Sequence, residues 1–170
     1  MRKFWIGLAL LATPVAAQPA ASDLSTAEDG ALATTIFVTD DIEGFWKAWE
    51  GPTPPHITTT SIITRSRPAF ATMVFTGCQP ASDGNCRVTA TFTIVAPDGS
   101  VYGRHGPMPG WSGPPAPGRN MLVIEGYLGF ELEPEDKLGP YVIKGELKDE
   151  VAGTSLVVQE TITAKADETA

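Results

Sequence analysis

Apolar and polar residues alternate along several stretches of this chain, and a period of two predicts β-strands. The clearest stretch is Val88–Val95, where threonines occupy alternate positions. A second stretch covers residues 141–148, and a third covers residues 156–162, where Glu160 interrupts the alternation as a residue at a β-bulge would. Further strand-like runs are residues 34–38, 57–64, 70–76, 121–124 and 128–132. The pattern therefore predicts an all-β fold of about eight strands.

One segment departs from this alternation and predicts a short helix. Asp40 can cap its first turn, Glu43 occupies the capping-box position three residues later, and Gly51 precedes a proline that ends it. Apolar residues recur between these limits at helical spacing: Ile42, Phe45, Trp46 and Trp49. We expect two or three turns of helix whose apolar face packs over one end of the strand layers.

Residues 103–118 form the other exception, because they contain five prolines and five glycines. Proline has no backbone N–H to donate to a sheet, so we expect a long loop here and not a strand. Loops of this length in compact domains are often functional. The segment carries three residues of chemical interest: His105, Met108 and Trp111.

Composition and charge narrow the class of partner. A chain of 170 residues with 42% hydrophobic residues suits a single globular domain. Its formal net charge of −8 argues against a nucleic-acid backbone or an anionic membrane surface as a partner.

The first residues have the order of a secretory signal peptide. Arg2 and Lys3 precede an apolar run over residues 4–11, and small residues follow as far as Ala17. The run is shorter than the ~20 residues that a membrane-spanning helix needs. We therefore predict cleavage after Ala17 and a periplasmic or secreted product. The predicted organisation is a signal peptide at 1–17, a flexible N-terminal segment at 18–33, a β-sandwich domain at 34–165 and a disordered tail at 166–170.

The two cysteines, Cys78 and Cys86, predict a disulfide, since an even number of cysteines in an exported chain is typical of one. The seven residues between them are rich in turn formers, and strand-like runs lie on both sides. We expect the bridge to close the base of a hairpin loop. A redox-active pair would favour the Cys-x-x-Cys spacing, which is absent.

Residues 136–141, Asp-Lys-Leu-Gly-Pro-Tyr, lead directly into a predicted strand and resemble the tyrosine corner of immunoglobulin-like and fibronectin-III-like sandwiches. The chain is also similar to small exported bacterial proteins of unassigned function. The resemblance implies an immunoglobulin-like antiparallel β-sandwich with one short helix, in which the Tyr141 hydroxyl bonds back to the chain just upstream and Asp136 and Gly139 have structural roles. Immunoglobulin domains proper carry a cysteine two residues after the tyrosine, where this chain has Ile143. The resemblance implies a fold and no activity.

Residues for catalysis are scarce. The chain has two histidines, His56 and His105, and neither lies near a nucleophile motif such as Gly-x-Ser-x-Gly. Glu131 and Glu133 alternate with apolar residues, which places both on a solvated face. We therefore predict a protein that is not an enzyme and holds no cofactor.

Two hypotheses about function remain. The first is an exported binding or accessory module that engages a protein or a saccharide through end loops, with Trp111, Met108 and His105 as contacts. Trp46 and Trp49 could extend that rim, although their helical spacing favours a plug over the sandwich end. The alternative is a copper-type metal-handling protein that uses the imidazole of His105 and the thioether of Met108. The oligomeric state stays open.

Overall fold

The computed structural model describes residues 25–51, 55–118 and 120–167, which form two five-stranded β-sheets and one short helix. Sheet A contains β1 (Thr26–Asp29), β2 (Leu32–Thr39), β4 (Ala69–Thr76), β7 (Leu122–Val123) and β8 (Leu128–Phe130). Sheet B contains β3 (Ile62–Thr64), β5 (Val88–Val95), β6 (Val101–Trp111), β9 (Gly139–Asp149) and β10 (Thr154–Lys165). The helix, α1, spans Ile42–Trp49. An all-β sandwich with one short helix is confirmed, with ten strands in the described residues and not about eight.

The order of sheet A is β1-β2-β4-β7, and β8 also pairs with β4. The order of sheet B is β3-β10-β9-β5-β6. All pairs are antiparallel except β3 with β10, which is parallel. Alternation along the strands turns one apolar face of each sheet inward to a common core. The large side chains that this core buries almost completely include Ile36, Met73, Phe75, Phe92, Ile143 and Leu147.

Segments outside the ladders join the two sheets along both sides of the sandwich. On one side, Ile124 N donates to Met73 O of sheet A at 3.0 Å, and Glu125 N donates to Gly110 O of sheet B at 2.7 Å. On the other side, Ser25 lies beside β10: its hydroxyl accepts from Gln159 N at 3.1 Å. Both sides of the sandwich therefore have hydrogen bonds that link sheet A to sheet B.

Glu160 does not mark a bulge, contrary to expectation. The pairing of β10 with β9 runs without interruption from Thr154 to Ala164. Glu160 therefore points inward with its apolar neighbours, is 8% exposed, and accepts a hydrogen bond from Ser25 N at 3.2 Å. A buried carboxylate with a backbone N–H partner explains the polar residue in an apolar row.

The sandwich begins earlier than predicted. Residues 26–33, which we expected to be flexible, form β1 and the start of β2. The hydroxyls of Thr26 and Thr35 lie 2.9 Å apart across this pair. The sequence of β1 is polar because it is an edge strand, so it shows no apolar alternation. The predicted signal peptide at residues 1–17, residues 18–24 and the tail residues 168–170 lie outside the described residues.

The prediction of a loop over residues 103–118 is wrong for its first half. Residues 101–111 form β6, an edge strand that pairs with β5 across three register shifts. Edge strands and bulges are the places where a sheet accepts proline, because the missing N–H is not needed for a second neighbour. Pro107 and Pro109 therefore belong to a strand, and only residues 112–118 form the irregular connection.

The helix packs in a different place from the one expected. Asp41, and not Asp40, caps it, because the Asp41 carboxylate accepts from Gly44 N at 2.8 Å. The Phe45 ring lies 6.0 Å from that of Phe37 on β2. Ile36 belongs to the core, so alternation turns Phe37 to the opposite face of the sheet. Helix α1 therefore covers the outer face of sheet A and does not plug the sandwich end.

The predicted disulfide between Cys78 and Cys86 is confirmed, with the two Cα atoms 6.0 Å apart and both side chains buried. It does not close a hairpin, because β4 before it belongs to sheet A and β5 after it belongs to sheet B. The bridge instead fixes the point at which the chain passes from one sheet to the other.

Tyr141 lies near the start of β9 and is almost completely buried. Its hydroxyl donates to the carbonyl oxygen of Lys137 at 3.0 Å. The Tyr102 ring packs edge-on against the Tyr141 ring at 5.8 Å, and the Tyr102 hydroxyl donates to the Asp136 carboxylate at 2.6 Å. That carboxylate also accepts from Glu133 N at 2.7 Å, so the connection before β9 is held by Asp136 within it and by the tyrosines of β6 and β9.

This arrangement predicts a loss of stability at alkaline pH. Burial, and then the hydrogen bond to Asp136, raises the pKa of Tyr102 to about 12. An unfolded tyrosine ionises near pH 10, so the unfolded chain releases this proton first, and the stabilisation present below pH 10 is lost as the pH rises to 12. Two pKa units correspond to about 2.7 kcal/mol. Tyr102 is only partly buried and solvent screens the effect, so we expect urea unfolding to show a decrease of about 1 kcal/mol from this residue over that interval. Tyr102→Phe should remove that part of the pH dependence, and an unchanged slope in the variant would contradict the assignment.

Candidate binding groove

The five aromatic and sulfur-bearing residues proposed as contacts lie on two separate surfaces. His105, Met108 and Trp111 belong to β6 at the edge of sheet B. Trp46 and Trp49 belong to α1, on the outer face of sheet A. The structure therefore does not assemble them into a single rim.

The tryptophans of α1 have a packing role. The Phe45 ring lies 5.6 Å from the Trp46 ring in an edge-on arrangement and 6.0 Å from the Trp49 ring in a stacked arrangement. Phe45 itself is buried, and both indoles are half-buried. These contacts, together with the one to Phe37, hold the helix against sheet A.

Met108 and Trp111, but not His105, line a groove of about 360 Å³ at the edge of sheet B. Register explains the position: Trp111 lies opposite Val88 and Pro109 lies opposite Thr89, so β5 supplies one wall and β6 the other. We call it the Trp111 groove, and its lining is formed by Arg87, Val88, Thr89, Pro107, Met108, Pro109, Trp111 and Ser112.

Hydrogen bonds hold Trp111 in place at the end of this groove. Its indole Nε1 donates to Pro114 O at 3.0 Å, and its ring packs against the edge of the core. Gly113 lies close to the indole, where a Cβ would be only 3.0 Å from the ring. Gly113 O also accepts from Cys86 N at 2.7 Å, so the disulfide supports the wall that carries the tryptophan.

Arg87, on the rim of the groove, is already paired. Its guanidinium donates to the Asp83 carboxylate at 2.9 Å. The pKa of Asp83 is held below its usual value, first by the hydrogen bond from Asn85 N and also by the charge of Arg87. The ion pair orients Arg87 toward the disulfide loop, so its charge is largely satisfied within the chain.

A second, polar depression of about 210 Å³ continues from the first and shares Thr89 and Pro107 with it. Within it, Lys148 Nζ lies 2.7 Å from Glu150 Oε2, and Thr89 Oγ1 donates to Glu150 Oε1 at 2.9 Å. These two hydrogen bonds, that from Lys148 first, lower the pKa of Glu150. We call it the polar groove, and its lining is formed by Thr89, Thr91, Arg104, Pro107, Glu146, Lys148 and Glu150.

His105 and Met108 have different surroundings. His105 is exposed, while the Met108 side chain packs over Gly126, where a Cβ would overlap its terminal carbon. Among the described residues, no group of three His, Cys, Asp or Glu side chains could hold a metal ion. Met108 thus covers the segment between β7 and β8, which is hydrogen-bonded to β6 through Glu125 N.

The residues that sequence reasoning missed are those contributed by β5 and β9. The alternation of Thr89 and Thr91 with apolar residues predicts the outer face of a strand, but no residue near them in the sequence indicates that β6 lies beside them. Their alternation was a signal for an exposed polar face. This face forms part of a groove because β6 pairs with β5 beside it.

Among residues 25–51, 55–118 and 120–167, no helix is both long and apolar enough to cross a lipid bilayer.

No protein-family model and no curated protein sequence matches this chain. Its matches among solved structures include a Niemann-Pick type C2 protein from Japanese carpenter ant, with 12% identity over 87% of this chain and 98% of that one, at a TM-score of 0.43. The alkylpurine DNA glycosylase AlkC of Pseudomonas fluorescens, bound to DNA containing an abasic site analog, has 12% identity over 62% of this chain and a TM-score of 0.43. A family 123 glycoside hydrolase from Clostridium perfringens has 11% identity over 79% of this chain and a TM-score of 0.42. This chain covers 28% of each of the last two proteins, and none of the three likenesses bears on its function.

Proposed function

We propose that this protein is an exported, non-enzymatic binding or accessory module that holds a saccharide chain in the Trp111 groove. The observation that supports the proposal is a fixed indole at one end of an apolar groove that opens directly into a polar one. Sugar rings present apolar C–H faces to an aromatic ring and hydroxyl groups to polar side chains. The Trp111 groove offers the first kind of surface, and the polar groove offers the second.

The size of the groove favours a saccharide over a folded protein partner. A volume of about 360 Å³ lies at the lower end of the range for small-ligand sites. A stable protein interface needs roughly 800 Å² from each partner, with a continuous apolar centre. Here the apolar lining of the Trp111 groove gives way to the polar groove, whose walls carry threonine hydroxyls and the ion pair of Lys148 with Glu150.

The disulfide supports an exported location. Disulfides persist in oxidising compartments such as the bacterial periplasm or the extracellular space. Together with the order of residues 1–17, this supports a secretory signal peptide and cleavage after Ala17.

We also propose that the sandwich is of the immunoglobulin-like or fibronectin-III-like type. If β9, which begins near Tyr141, is taken as strand F, the order β10-β9-β5-β6 corresponds to G-F-C-C′. In the same assignment, β2, β4 and β7 take the places of A, B and E in the other sheet. The hydrogen bond from Tyr141 to Lys137 O is the contact that a tyrosine corner makes.

Electrophoresis of the oxidised chain in native gels that contain soluble polysaccharides tests the function. We expect at least one polysaccharide to retard the chain, and Trp111→Ala to weaken that retardation by at least ten-fold, as removal of a central aromatic contact does. Trp46→Ala is the matched control, since it removes an indole from α1 on the outer face of sheet A, and it should bind like the unmodified chain. The proposal fails if a broad panel of polysaccharides leaves the chain unretarded, or if Trp111→Ala binds as tightly as the unmodified chain.

A further inference from the structure

We infer that the saccharide is acidic and that Arg104 and Lys144 bind its carboxylate groups on the outer face of sheet B. This inference rests on the proposed function and adds the chemical class of the ligand. Three observations support this inference. The register of three adjacent strands aligns the two cations, neither cation forms an ion pair within the described residues, and this face is continuous with the Trp111 groove.

The register places the two cations in one row. Thr93 on β5 lies opposite Arg104 on β6 and, on its other side, opposite Lys144 on β9. Lys144 in turn lies opposite Gln159 on β10. Residues directly opposite one another in antiparallel strands point to the same face, and Phe92, next to Thr93, points into the core. The row Arg104, Thr93, Lys144 and Gln159 therefore lies across the outer face of sheet B.

The spacing of the row suits a ligand with repeated charges. Adjacent strands lie about 4.8 Å apart, so two strand spacings separate Arg104 from Lys144 by about 10 Å. Thr93 stands between them with a hydroxyl group that can donate or accept. Two carboxylates of one ligand that lie about 10 Å apart can thus each contact one cation, and a hydroxyl between them can contact the threonine.

Neither cation is satisfied within the described part of the chain. Both side chains are exposed, and neither lies within 4.0 Å of a carboxylate oxygen there. Glu146 is on the same face, two residues from Lys144, and lines the polar groove with Arg104. It forms no ion pair with either of them, so the row presents two cations near one carboxylate. Although the net charge of the chain is −8, this local concentration of positive charge complements the carboxylates of an anionic ligand.

The row is continuous with the proposed saccharide site. Arg104 lines the polar groove, which shares Thr89 and Pro107 with the Trp111 groove. Trp111 follows Arg104 by seven positions along β6, which corresponds to roughly 20 Å of extended strand. A short oligosaccharide that packs on the indole can therefore reach the cations. Two cations are too few for a nucleic-acid backbone, whose binding depends on many phosphate contacts.

Matched ligands separate this inference from the proposed function. The probes are polygalacturonate, alginate and hyaluronate, each compared with its methyl ester, which keeps the sugar chain and removes the charge. We expect at least one acidic form to bind about ten-fold more tightly than its ester at low salt, the combined effect of two exposed ion pairs. Added salt at 0.5 M should reduce this preference, because exposed charges are screened.

Variants test whether Arg104 and Lys144 cause the preference for the acidic form. Arg104→Gln combined with Lys144→Gln should bind acid and ester equally. Lys47→Gln combined with Arg67→Gln should keep the preference, because these two exposed cations lie on α1 and in the connection between β3 and β4. Trp111→Ala should weaken binding of both forms. Equal binding of acid and ester by the unmodified chain, or a preference that survives in the Arg104 and Lys144 variant, would overturn the inference and leave the proposed function standing. If no form of any probe binds, while other polysaccharides do, the inference alone fails; if no polysaccharide binds at all, both fail.

Discussion

Replacing Gly77 with alanine is expected to lower the free energy of unfolding by more than about 4 kcal/mol, or to prevent folding, because two effects act at this position. Gly77 has a φ of 77°, a conformation that residues with a Cβ rarely adopt. A Cβ there would also overlap the backbone carbonyl of Ala31 and lie 3.0 Å from Leu32 N. The neighbouring pair, Ala33 with Thr76, belongs to the ladder between β2 and β4, so the two backbones cannot separate without breaking it.

Gly84→Ala is the matched control. Gly84 has a similar φ of 81°, but no atom lies within 4 Å of the position of its Cβ. This variant should lose only the cost of the left-handed conformation, about 1–2 kcal/mol. Guanidinium unfolding followed by circular dichroism measures both variants. Equal losses at Gly77 and Gly84 would show that the close approach to Ala31 is relieved elsewhere.

Replacing Asp149 with alanine is expected to cost about 3–5 kcal/mol, because three backbone N–H groups share its carboxylate. One carboxylate oxygen accepts from Gln79 N at 2.7 Å, and the other accepts from Val151 N at 3.0 Å and Ala152 N at 3.1 Å. Asp149 is only 1% exposed, so water cannot easily replace these bonds. Its side chain thus joins the disulfide connection to the hairpin between β9 and β10.

Asp83→Ala serves as the comparison, because Asp83 is exposed and accepts from Asn85 N and from the Arg87 side chain. Hydrogen bonds and ion pairs on the surface contribute little, so this variant should be nearly as stable as the unmodified chain. The stability of Asp149→Asn should lie between those of Asp149→Ala and Asp83→Ala. Its amide oxygen still accepts a hydrogen bond, but its NH₂ group faces another donor. An Asp149→Ala variant as stable as Asp83→Ala would contradict the assignment.

The central strands of sheet B were predictable because apolar and polar residues alternate regularly along them. The strands β5, β9 and β10 are buried on one face only, so apolar residues recur at every second position. The connection from β4 to β5 was not predictable in the same way. Turn-forming residues between Cys78 and Cys86 suit a hairpin and a passage between sheets equally well, and the choice depends on which distant strand β5 meets.

The edge strands were missed for a related reason. Strand β1 has little apolar surface to bury, and β6 contains Pro107 and Pro109, which argue against a central strand but not against an edge strand. Edge strands contact solvent along their free edge, so their residues are often polar or proline, and their composition does not indicate a strand.

For the candidate site, the sequence indicated Trp111 and Met108 but not their surroundings. Their groove needs Thr89 and Val88 from β5, and the proposed row of cations needs the register among β6, β5 and β9. For Trp46 and Trp49, helical spacing correctly indicated a helix but not the surface on which it packs, because the contact with Phe37 depends on the outer face of another strand.

The irregular edge at β6 has a consequence for the chain at high concentration. An exposed, regular strand edge can recruit the edge of another copy and start aggregation. Pro107 and Pro109 lack the N–H groups that such a strand addition requires, and the register shifts of β6 disturb the straight line of partners. The same residues that shape the wall of the Trp111 groove therefore discourage sheet-to-sheet polymerisation, and they direct recognition to side chains on the face of sheet B and away from its backbone.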